Sequence, residues 1–151
     1  MSRLWVRFFV GAAFALTFAT QAPSQTEKWN QEKVTAIAKD LEAAVSGLRD
    51  AVKKSPAWEN PQQKRNLYKI ADILRQMEQE CTSLHAQLAR GAGMEESQSN
   101  YDHIQRLRKR AQVLAPKSDI GAFTKPKLDQ AAAILKQIEP YYPTAAEAPK
   151  S

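Results

Sequence analysis

The sequence predicts an all-α protein, an antiparallel up-and-down four-helix bundle. Three observations carry that expectation. Apolar residues recur at alternating steps of three and four over four separate segments, the spacing that lines one face of a helix. Asparagine, proline and glycine punctuate the segments where helices start and stop. No run outside the N-terminal 24 residues alternates in the manner of a strand. Connectors of roughly 3–10 residues then favour antiparallel neighbours. A three-helix core with a peripheral fourth helix is the alternative arrangement.

The first helix follows Asn30, whose side chain can accept an otherwise orphaned backbone N–H. Its stripe is Val34, Ile37, Leu41, Ala44, Leu48 and Ala51, and it runs to about Ser55, where Pro56 stops it. Residues 55–60 form a connector. Asn60 before Pro61 is a second start signal, a cap followed by a proline suited to the first turn. Leu67, Ile70, Leu74, Met77, Cys81, Leu84 and Leu88 then keep the three-four alternation unbroken, and Gly91 suits a left-handed terminator.

The third helix is expected from about Glu95 to Leu114, with Tyr101, Ile104, Leu107, Ala111 and Leu114 on its apolar face. It is the least regular of the four, and Arg108 sits close to its seam. The fourth begins near Thr124, with Phe123 and Leu128 spaced for a hydrophobic staple across the cap. Its stripe is Leu128, Ala131, Leu135 and Ile138, and Pro140 closes it. The domain division is thus residues 1–24 as a leader, 25–140 as the bundle and 141–151 as a flexible tail.

The leader assignment rests on order: Arg3 and Arg7, then the uncharged run Phe8 to Ala19, then Ala22-Pro23-Ser24 as a small-residue exit. That is the layout of a secretory signal peptide, and the run is short of the ~20 apolar residues a permanent span requires. Cleavage after Ser24 leaves 127 of 151 residues, and losing two arginines lowers the net charge from +6 to +4. A periplasmic or secreted location follows. Retention of the segment as an N-terminal anchor is the other outcome. Cys81 is the sole cysteine, so no intramolecular disulfide supports the fold.

Composition and motifs narrow the function. Arg106, Arg108, Lys109 and Arg110 form the sharpest charge feature, with Asp102 the only acid nearby, and suit an envelope protein or an anionic surface as partner. No aromatic residues interleave these cations in the way single-strand binders require, so nucleic acid is not expected. Met77, Cys81 and His85 stack at four-residue steps on one helix, and with His103 they offer the alternative of a copper or haem carrier. Met77 and Cys81 also sit on the apolar seam, where both residues are ordinary fillers. No C-x-x-C-H motif is present, and no cofactor is implied.

A seam cysteine is desolvated and a poor nucleophile, so Cys81 with His85 does not read as a catalytic pair. The expectation is a non-enzymatic binding or interaction module of the cell envelope, with self-association open because alanines punctuate the seams. In general class the chain is similar to small, basic, all-helical periplasmic stress chaperones and adaptor proteins. It lacks the Leu-Thr-x-x-Gln repeats of the best known of those chaperones.

Overall fold

The protein is described here by a computed structural model covering residues 27–143. The expected leader and residues 144–151 fall outside that range. Four helices make up the described chain: α1 (Gln31–Lys53), α2 (Pro61–Ala89), α3 (Met94–Leu114) and α4 (Gly121–Ile138). Short 3-10 turns follow α1, α3 and α4. The fold is an all-α four-helix bundle.

Local chemistry sets most of the boundaries. Asn30 caps α1 by accepting the Lys33 N–H at 2.9 Å, and Asn60 caps α2 by accepting that of Gln62 at 3.0 Å. Gly91 has φ 90°, and a Cβ there would meet nothing within 4 Å. Its requirement for glycine therefore comes from the backbone alone. The carbonyls of Leu88 and Ala92 at this end are satisfied by the Gln31 side-chain amide, at 2.7 and 3.0 Å. The first residue of α1 thus closes the end of α2.

The start of α4 differs from the expectation. The helix begins at Gly121 rather than near Thr124, because Ile120 is buried and draws the chain into helical geometry at once. Thr124 is inside the first turns, with its hydroxyl on the Ile120 carbonyl at 2.8 Å. Phe123 and Leu128 are 50% and 45% exposed, so the anticipated staple does not form. Pro126 lies within the helix and has no N–H to offer the carbonyl of Ala122.

Helices α1 and α2 are the central pair, with α4 packed on α1 and α3 packed on α2. The main core joins Leu41 and Val45 of α1, Met77, Cys81 and Leu84 of α2, Ile104 of α3 and Leu135 and Ile138 of α4. A second cluster gathers Leu48, Val52, Leu67, Ile70, Leu74 and Ile120 beside the α3–α4 connector. Trp58 packs against this cluster and donates to the Val52 carbonyl at 2.8 Å.

The opposite end is closed by residues expected to lie in the tail. Tyr141 and Tyr142 are 2% and 1% exposed and belong to the main core. The Tyr142 ring stacks on Tyr101 with centroids 4.3 Å apart and meets the edge of Trp29 at 5.7 Å. Its hydroxyl pairs with Ser97 at 2.8 Å, and Tyr141 donates to Glu27 at 2.5 Å. Pro140 ends the regular helix without ending the fold, since a 3-10 turn carries the chain back over the core.

Candidate functional site

Helices α3 and α4 stand at the two ends of the packing order and share no interface comparable to the other three. Their separation leaves a cleft of about 280 Å³ over the bundle interior. Its floor is Leu48 and Val52 from α1 with Ile70, Leu74 and Met77 from α2. Alanines line the flanks: Ala111 and Ala115 on one side, Ala131 and Ala132 on the other. A methyl side chain covers little, so two helices presenting alanine to each other leave unfilled space where leucines would interlock.

Polar groups of the cleft are few. The Thr124 hydroxyl is already engaged by the Ile120 carbonyl. Asp129 borders the opening and is paired with Lys125 at 2.7 Å. Arg108 borders it from α3, half-buried, and among the described residues it forms no salt bridge. Its only side-chain partner among them is Gln105, at 3.4 Å. With Gln112 also on the lining, the site combines an apolar interior with a cation that has no salt-bridge partner among the described residues.

The four basic residues of α3 are separated by the helical turn rather than gathered. Arg106 and Lys109 face a groove of about 550 Å³ together with Asp102 and Glu139, so positive and negative charges balance there. Arg110 faces α2, in a hollow shared with Lys69 and Asp72. The Asp72 carboxyl is held below its ordinary value, chiefly by hydrogen bonding from Arg75, with a smaller contribution from Arg110. Arg108 alone turns toward the apolar cleft.

Met77, Cys81, His85 and His103 are likewise dispersed. Met77 and Cys81 are core residues, at 4% and 0% exposure. His85 turns outward to Glu42, its Nδ1 2.9 Å from the carboxylate, while Thr82 donates to the other oxygen. His103 faces Glu80 at 3.2 Å. Among the described residues no group of three or more His, Cys, Asp or Glu side chains is placed to hold a metal ion. Burial, reinforced by Glu42 and Glu80, pushes the Cys81 thiol from 9.0 up to about 12, which suppresses the reactive thiolate.

The cleft was missed in the sequence. Its signals were present in the alanines of α3 and α4 and in the seam position of Arg108, but nothing in a one-dimensional pattern specifies which helix pair stays apart. A scan against known protein families, a search of curated proteins and a search of solved structures each returned no match.

Proposed function

We propose that this protein is an exported, non-enzymatic binding module of the bacterial cell envelope, and that its binding site is the cleft between α3 and α4. The observation that carries the reading is the lining: aliphatic side chains and Met77 from four helices surround one concave space with few polar groups. Binding sites for small molecules share that composition, with a small number of polar groups fixing orientation. The elevated thiol of Cys81 supports a binding rather than a nucleophilic role. The charged start, short apolar run and small-residue exit of residues 1–24 support export.

Titration of the purified protein with naphthalene, a neutral apolar fluorophore that matches the cleft in size, tests the site. Saturable one-to-one binding is expected, and Ala132→Trp, which fills the opening, abolishes it while helical circular dichroism is unchanged. Dye binding that is unaffected by the plug refutes the assignment. Cell fractionation with N-terminal sequencing of the recovered chain tests export, and an unprocessed cytosolic protein overturns that part.

A further inference from the structure

We infer that the cleft binds a single-chain amphiphile with an anionic head group, its tail among the aliphatic side chains and its carboxylate on Arg108. The inference rests on the cleft being the binding site and adds the chemical class of its occupant. Size and charge lead to it independently. A dry cavity of ~150 Å³ is enough for a benzene ring. By that scale the 280 Å³ here holds roughly ten to twelve carbons, the tail of a medium-chain fatty acid.

Charge selects the head. Arg108 is half-buried at the edge of an apolar space, where a cation is less well hydrated than on an open surface. Its planar fork of donors matches a carboxylate. The other charge at the opening, Asp129, is paired with Lys125 on the preceding turn of the same helix. A cationic head would meet Arg108 with repulsion, and a neutral head would leave the guanidinium without a counter-charge. A neighbouring protein helix is a poorer fit, because the cavity is small and deep in four helices rather than a continuous apolar strip.

The test compares laurate, dodecanol and dodecyltrimethylammonium, which share a twelve-carbon tail, by displacement of naphthalene, the fluorescent dye used above, from the purified protein. Laurate is expected to bind about ten-fold more tightly than dodecanol, the worth of a partly exposed charge-assisted contact. Arg108→Gln should remove that advantage and leave dodecanol unchanged, and Ala132→Trp should exclude both. Equal affinity of laurate for wild type and Arg108→Gln, with dye binding still blocked by the plug, overturns the anionic head while the cleft stands. Failure of every probe to enter overturns the cleft itself. Dimerisation in light scattering that competes with the dye makes a second copy the occupant and overturns the amphiphile.

Discussion

Replacing Tyr142 by alanine should be among the most damaging single changes in the chain, although the residue lies only nine positions before Ser151. The ring is 1% exposed, stacks on Tyr101 and receives the edge of Trp29. Truncating a buried aromatic side chain costs about 3–5 kcal/mol through lost burial and the cavity left behind. The hydroxyl adds little to that figure. Ser97 keeps a second acceptor in the Gly93 carbonyl at 2.7 Å, so it is not stranded by the loss. Tyr142→Phe should therefore cost only about 1 kcal/mol.

A 3–5 kcal/mol loss is a large share of the 5–15 kcal/mol typical of a domain, and for this size corresponds to a fall in Tm of about 10–20 °C. Urea denaturation followed by circular dichroism gives the free energy, and a thermal melt gives the shift. The comparison with Tyr142→Phe separates ring from hydroxyl. If Tyr142→Ala lies within 1 kcal/mol of wild type, the packing of the chain end over α3 is refuted, and the fold stops at Pro140 as the sequence pattern implied.

Two further outcomes follow from the same core. The Cys81 thiol titrates near 9.0 when exposed and near 12 when folded, so the unfolded chain loses its proton first as the pH rises. The stabilising contribution is complete below pH 9 and falls at up to about 1.4 kcal/mol per pH unit above it. Denaturation at pH 8 and pH 10 should show this decline, reduced in Cys81→Ala; Tyr101, also raised to about 12, adds its own loss above pH 10. Gly91→Ala, at φ 90° with open space around the new methyl, should cost about 1–2 kcal/mol in urea midpoint through backbone strain alone, and an unchanged midpoint would contradict the left-handed cap.

Features that are local in sequence were legible there. Asn30, Asn60 and Gly91 act through hydrogen bonds or dihedrals within a few residues, and each does in the structure what its position implies. The α2 stripe was equally clear, since Leu67 through Leu88 are buried at every expected position. The start of α4 was not. Thr124 looked like a cap because capping residues and back-bonding residues are chemically the same. The deciding factor was burial of Ile120 among residues of α1 and α2, all more than forty positions away in the chain. Tyr141 and Tyr142 were half legible: two prolines and several alanines look like a tail, yet aromatic residues at an element end, on the same side as Trp29 in an up-and-down bundle, suit a plug for the core, which Ser97, Tyr101 and Trp29 complete.

The cleft has the same origin. Helix α3 buries only Ser97, Tyr101, Ile104 and Leu107, and all four lie in its N-terminal two thirds. Beyond Leu107 the inward positions are Ala111 and a partly buried Leu114, too little to hold α3 against α4. The two helices are nonetheless fixed at both ends. Tyr142 stacks on Tyr101 at one, and the six-residue connector with buried Ser118 and Ile120 ties them at the other. A pair of helices clamped at its ends and lined with alanine between them must leave a gap. Filling Ala111 and Ala132 with leucine should therefore stabilise the bundle by about 0.5–2 kcal/mol in urea denaturation and block dye binding at the same time. The gap thus follows from how α3 and α4 are held, and Arg108 borders it with no salt-bridge partner among the described residues.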